Sequence, residues 1–120
     1  MKLQYALPAW AAALTGIDPQ VVRYCVPYDL APDGTLLKDG CLVVTRERLL
    51  VLGNERVLDE VPLEKGTKIV CSPQVDCGLL LARQEDGERF LCRFTMRHMV
   101  RISYVAKGAT LLAEGIDRLV

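Results

Sequence analysis

The sequence predicts one mainly β domain of about seven short strands, with a short N-terminal helix and a longer C-terminal helix. A chain of 120 residues is long enough to bury one core and too short for two domains. Apolar residues make up 51% of it, and 15 basic residues balance 15 acidic ones, which argues against disorder. Most of the chain consists of short β-branched runs between turn residues, whereas the last quarter has helical spacing.

The N-terminal helix is expected at about residues 7–15. Pro8 suits a first helical turn, strong helix formers follow it, and Gly16 is a typical stop signal. A signal peptide is the alternative, but Pro8 interrupts the apolar run that an export signal needs. No other stretch approaches the length of a membrane-spanning helix.

Seven strands are expected within residues 21–94, because short β-forming runs alternate with turn signals such as Pro32-Asp33-Gly34, Gly53-Asn54 and Asp86-Gly87. In the last strand, Phe90, Cys92 and Phe94 should share one face. The predicted strands are 21–28, 36–45, 48–52, 56–62, 67–71, 77–84 and 89–94.

The C-terminal helix is expected at about residues 95–113, with Thr95 as its N-cap. Its apolar positions recur in steps of three and four, which predicts one buried face. Gly108 weakens the interior of this helix and suggests a kink or an early end near Lys107.

Seven strands with a terminal helix favour a barrel or sandwich whose open end the helix covers, since closing or capping removes exposed sheet edges. Smaller barrels use about five strands and lack a long terminal helix. The layout therefore predicts a seven-stranded barrel or sandwich like that of pleckstrin-homology domains, over residues 1–120 as a single domain.

The cysteines indicate a reducing compartment. Their number is odd, and none has the C-x-x-C spacing of zinc knuckles. We expect five reduced thiols, no bound metal and a cytoplasmic location. The five are Cys25, Cys41, Cys71, Cys77 and Cys92.

No residue pattern predicts catalysis or a cofactor. Phosphate-binding loops are missing from the sequence, and His98, the only histidine, is expected to be an exposed surface residue without a catalytic partner. The acidic pairs Asp59-Glu60 and Glu85-Asp86 are expected at strand ends or turns. The zero net charge and the few aromatic residues argue against nucleic-acid binding.

One charge pattern is a candidate site. Arginines recur every fourth residue from Arg89, and a docking patch for an acidic partner or a phosphate is expected at Arg93, Arg97 and Arg101. The alternative is a solvated face balanced by Glu85, Asp86 and Glu88.

Residues 24–62 carry a resemblance to a known family. The segments CVPYDLAPD, GCLVVTRERLLVL and RVLDEVPL, at 25–33, 40–52 and 56–63, resemble the N-terminal pleckstrin-homology-like domain of some bacterial ABC transporter proteins, chiefly from Firmicutes. The resemblance covers about residues 8–113, with only the layout matching in the second half.

The resemblance implies a non-catalytic interaction or regulatory domain of an ABC exporter, at the cytosolic face of the membrane. Its partners would be other domains of the transporter or a protein regulator, and ATP and Mg²⁺ would bind only in those other domains. The first loop, residues 29–35, has two acids and no base, which argues against the phosphoinositide binding of pleckstrin-homology domains. A stand-alone barrel that binds a peptide or small ligand is the alternative, and self-association stays open.

Overall fold

The computed structural model describes residues 1–118 as two antiparallel sheets with a helix near each end. One sheet has the strand order β1-β2-β3-β4 and the other β5-β6-β7. The predicted mainly β class is confirmed, but the described sheets form a sandwich rather than a closed barrel. The elements are α1 (Ala9–Thr15), β1 (Tyr24–Pro27), β2 (Cys41–Val44), β3 (Arg48–Gly53), β4 (Arg56–Pro62), β5 (Lys68–Pro73), β6 (Cys77–Gln84), β7 (Gly87–Thr95) and α2 (Met99–Ala113).

Local capping bonds explain why the first two strands are shorter than predicted. Asp18 accepts a hydrogen bond from the Gln20 N–H and starts a 3₁₀ turn, Pro19–Val21, which β1 follows. The Asp39 carboxylate accepts the N–H groups of Asn54 and Glu55, which holds the chain before β2 as a loop against the next hairpin. At both places, hydrogen bonds to side chains thus hold residues in a turn or a loop where the sequence predicted the end of a strand.

Two apolar clusters lie on opposite faces of the four-stranded sheet. The main core fills the space between the sheets and α2, with Phe94 fully buried in it. In the second cluster, α1 packs through residues that include its Trp10 against the outer face of the four-stranded sheet, around Val43 and Leu50. Because both faces are covered, all four residues of β2 are buried.

A β-bulge in β7 overturns the predicted faces of that strand. Leu80 pairs with Cys92 and Leu81 with Phe90, so Leu91 is the extra residue. Leu91 is buried in the core beside Cys92, whereas Phe90 is 37% exposed, and the prediction that Phe90 shares a face with Cys92 and Phe94 is wrong.

The C-terminal helix runs to Ala113 without a break at Gly108, so the suggested early end is wrong. The helix is preceded by a 3₁₀ turn, Met96–His98, and Thr95 makes no capping hydrogen bond with its side chain. Thr110 fixes α2 on β5, because its hydroxyl accepts the Ile69 N–H and lies 3.1 Å from the Ile69 carbonyl oxygen. Within residues 1–118, neither helix is long and apolar enough to cross a membrane.

The Cys25 and Cys41 thiols lie close together on neighbouring strands, with 3.5 Å between their sulfur atoms. That separation is a thiol–thiol contact and far exceeds the length of a disulfide bond. We expect titration of the freshly purified, unfolded protein to find five thiols. A mass 2 Da below that of the reduced chain would contradict this prediction. Peptide mapping would then test first whether Cys25 and Cys41 form the disulfide.

Candidate docking surface

The structure separates the arginines that the sequence grouped. Arg89 pairs with Ala82 and Arg93 with Leu79, and these β6 partners lie on opposite faces of the sheet. Arg89 reaches across to β4, where it bonds the Glu60 carbonyl oxygen and lies 3.4 Å from Asp59. The bulge thus removes Arg89 from any common row with Arg93.

Arg93 lies beside the loop between β1 and β2 rather than on the helix. Its backbone forms an isolated bridge with Leu30. Its Nε atom is buried without a hydrogen-bond partner among the described residues. Arg93 is therefore half-buried against the loop, and only the other two residues of the expected patch share a site.

Arg97 and Arg101 converge on the ring of His98. The Nε atom of Arg97 lies 3.3 Å from Nε2 of His98, and Nη1 of Arg101 lies 3.5 Å from Nδ1. The Arg101 guanidinium also covers the Tyr5 ring at 5.2 Å, a cation–π contact. These contacts hold Arg101 close to the protein, whereas the Arg97 side chain is 77% exposed.

The prediction that His98 is an exposed surface residue is wrong, since only 5% of it is exposed. Burial lowers the pKa of His98, Asp29 opposes this shift, and Arg97 and Arg101 add to it. The imidazole is therefore held neutral, with one ring nitrogen available as an acceptor. In this position the His98 ring contacts both arginines.

Asp29 anchors the junction between β7 and α2. Its carboxylate accepts the Thr95 N–H at 2.8 Å and the Thr95 hydroxyl at 2.6 Å. Burial alone would raise the pKa of Asp29, but the two bonds from Thr95 and the charge of Arg97 lower it below the ordinary value. No local sequence pattern predicts this contact, because the two residues are 66 positions apart.

The outward face of α2 is unusually apolar for a helix exposed to solvent. Val100 is 60% exposed and Tyr104 48%, and Met96 in the preceding turn is 46% exposed. At about 100° per residue, these side chains and Lys107 lie within a sector of about 80°. The buried residues, such as Ile102, Val105 and Ala109, occupy the opposite side.

The same face is cationic. Residues 96–113 contain Arg97, Arg101 and Lys107 but no Asp or Glu, in a chain whose total charge is zero. Exposed apolar residues flanked by arginine and tyrosine are typical of protein interaction sites. We call this region the α2 surface; it consists of Met96, Arg97, Val100, Arg101, Tyr104 and Lys107.

A cleft of about 670 Å³ adjoins the α2 surface at its N-terminal end. The side chain of Leu36, which is 80% exposed, forms part of its wall. Its lining includes the polar groups of Asp29 and Thr95, which already bond each other. The remaining lining residues are Pro27, Tyr28, Leu37, Lys38, Arg97 and His98.

Of the acidic pairs, Asp59-Glu60 lies inside β4, so its expected position at a strand end or turn is wrong, whereas Glu85-Asp86 lies in a turn as expected. Glu60 forms an ion pair with Arg48 at 2.7 Å, and Glu85 and Asp86 lie at the exposed β6–β7 turn. Among residues 1–118, no cluster of three or more His, Cys, Asp or Glu side chains could hold a metal ion. The α2 surface is therefore the strongest candidate for function.

The sequence matches no protein-family model, no curated protein and no solved structure.

Proposed function

We propose that this chain is a non-catalytic interaction domain that docks a protein partner on the α2 surface. The observation that carries the proposal is the exposed apolar stripe of Met96, Val100 and Tyr104, bordered by Arg97 and Arg101. Burying three such side chains in an interface would contribute several kcal/mol, at about 25 cal/mol per Å² of apolar surface.

The proposed setting is an ABC-type exporter, in which this chain is an N-terminal pleckstrin-homology-like domain at the cytosolic face of the membrane. The resemblance of residues 24–62 supports this setting. The mainly β fold with a C-terminal helix supports this setting only at the level of fold class. ATP and Mg²⁺ would then bind other domains of the transporter, and this domain would contact those domains or a protein regulator.

A stand-alone domain that binds a peptide or small ligand is the second candidate, and the cleft beside Asp29 favours it. At about 670 Å³, the cleft lies within the range of small-molecule sites. Its apolar rim at Leu36 and Leu37 would contact such a ligand.

The reading frame downstream of codon 120 tests the setting, since transmembrane helices and a Walker A motif support the exporter and a stop codon contradicts it.

The docking role is tested by a pull-down in which the purified chain captures the downstream protein, that is, the polypeptide encoded after codon 120. We expect Val100→Glu with Tyr104→Glu to abolish capture, because both substitutions place charge in the apolar stripe. The matched control is Val75→Glu, in the fully exposed β5–β6 turn. Equal loss with the control, or no loss with the α2 variant, contradicts docking on this surface.

A further inference from the structure

We propose that the partner segment on the α2 surface is an acidic amphipathic helix that lies along α2. This inference rests on the proposed docking function and specifies the chemistry of the partner. It follows from the shape of the apolar stripe, from the position of Arg97 and Arg101 on one side of it, and from the side-chain contacts that occupy the free edge of β5.

The apolar residues form a straight ridge. Met96, Val100 and Tyr104 follow each other at intervals of four, and the half-buried Leu111 extends the line. Ridges of residues four apart pack into the grooves of a second helix. From Met96 to Leu111 the ridge is about 22 Å long at 1.5 Å per residue, so it matches a partner helix of about four turns.

The two arginines lie on one side of this ridge. Arg97 and Arg101 occupy the same flank, which also faces the N-terminal segment, because Arg101 and Lys2 both lie over the Tyr5 ring. The opposite flank carries the uncharged Ser103 and Thr110, and the Thr110 hydroxyl is engaged with β5. A partner helix with Asp or Glu along one flank complements this arrangement.

A flat anionic membrane fits the surface less well. Membrane-bound helices are rich in Lys and Arg along a polar face, and each cation near the bilayer contributes about 1 kcal/mol. Here Asp29 lies 3.8 Å from Arg97 and offsets part of that charge. Lys107 lies within the apolar sector of α2. On a bilayer its side chain would have to bend toward the headgroups to keep the ammonium group out of the apolar layer.

Two other protein partners are disfavoured by the same geometry. A second copy docked symmetrically would offer no carboxylate to Arg97 and Arg101 from its own residues 96–113, which contain no Asp or Glu. An extended strand added to β5 next to α2 would need the free edge of β5. There, the Thr110 hydroxyl already occupies the N–H of Ile69 and contacts its carbonyl oxygen.

Partial ordering of the arginines favours specific recognition. Arg101 is held between the His98 ring and the Tyr5 ring, so less side-chain entropy is lost when it meets a carboxylate. Arginine also pairs with a carboxylate through two parallel hydrogen bonds, which fixes the register of a partner helix.

The test uses two synthetic 18-residue helical peptides with the same leucine ridge, one with glutamates along a flank and one with lysines there. We expect the acidic peptide to bind the intact chain at low salt. It should bind the double variant, Arg97→Glu with Arg101→Glu, about tenfold more weakly. The lysine peptide should show the reverse preference. The control Arg56→Glu with Lys65→Glu makes the same charge change at two exposed positions, the first residue of β4 and the turn that follows this strand, and should bind like the unchanged chain.

Several results would overturn the proposal. They are equal binding of both peptides, no binding of the acidic peptide, or a loss of binding that the control variant shares. Anionic vesicles that bind the intact chain but not the Arg97/Arg101 variant would assign the surface to a membrane instead. Failure with the peptides, together with α2-dependent capture of the downstream protein, would reject the acidic helix and leave the docking function in place.

Discussion

Gly108→Ala is expected to destabilise the protein by about 2 kcal/mol, although alanine favours helices over glycine by about 1 kcal/mol. A Cβ atom at this position would overlap the Tyr24 ring, with Cε2 at 2.6 Å and the phenol oxygen and Cζ closer still. Tyr24 is only 2% exposed, so its ring has no room to withdraw. Overpacking of a core costs up to about 3 kcal/mol, which exceeds the gain in helix propensity.

A double-mutant cycle separates these two effects. The free energy of unfolding in urea is measured for Gly108→Ala in the natural chain and in a Tyr24→Ala chain, where the clash is gone. There, the glycine substitution should stabilise by up to about 1 kcal/mol. Lys107→Ala, on the exposed side of α2, is the control and should change stability by less than about 0.5 kcal/mol. A Gly108→Ala substitution that stabilises in both backgrounds would show that the helix, not the Tyr24 contact, decides its effect.

The sequence predicted those parts of the fold that depend on local pattern. The bounds of β4 and β6 were predicted to the residue, since Gly53-Asn54 precedes β4 and acidic turn residues stand before and after β6. The unbroken run of apolar residues in β2 could also have indicated a strand covered on both faces. The second cluster was missed because the packing of α1 onto this sheet depends on tertiary structure.

The candidate site was predictable only in part, because its geometry depends on two non-local features. The bulge at Leu91 shifts the register of β7 by one residue, and so Arg89 and Arg93 face opposite ways. Helical spacing placed Arg97 and Arg101 together, as found. It also places His98 on the same side of the helix as the buried Ile102, which indicates burial. Because histidine is polar, we expected it to be exposed instead.

Asp29→Ala is expected to destabilise the protein by about 2 kcal/mol and to loosen the start of α2. The substitution leaves the N–H of Thr95 without its acceptor at a half-buried site, and bonds to a charged group contribute about 1.5–3 kcal/mol. Asp29→Asn keeps one acceptor oxygen for this N–H and should cost less. Asp76→Ala, at an exposed turn position, is the control for the loss of a carboxylate.

The pH dependence distinguishes this contact from simple packing. Because the pKa of Asp29 is lower in the folded chain than its ordinary value of about 3.9, its contribution to stability is complete above that value. The contribution is lost as the pH falls through the folded pKa, since the unfolded chain then binds the proton first. The difference in unfolding free energy between the natural chain and Asp29→Asn should therefore be larger at pH 7 than at pH 3. If the difference stays constant over this range, the ionised carboxylate is not what holds β7 to α2.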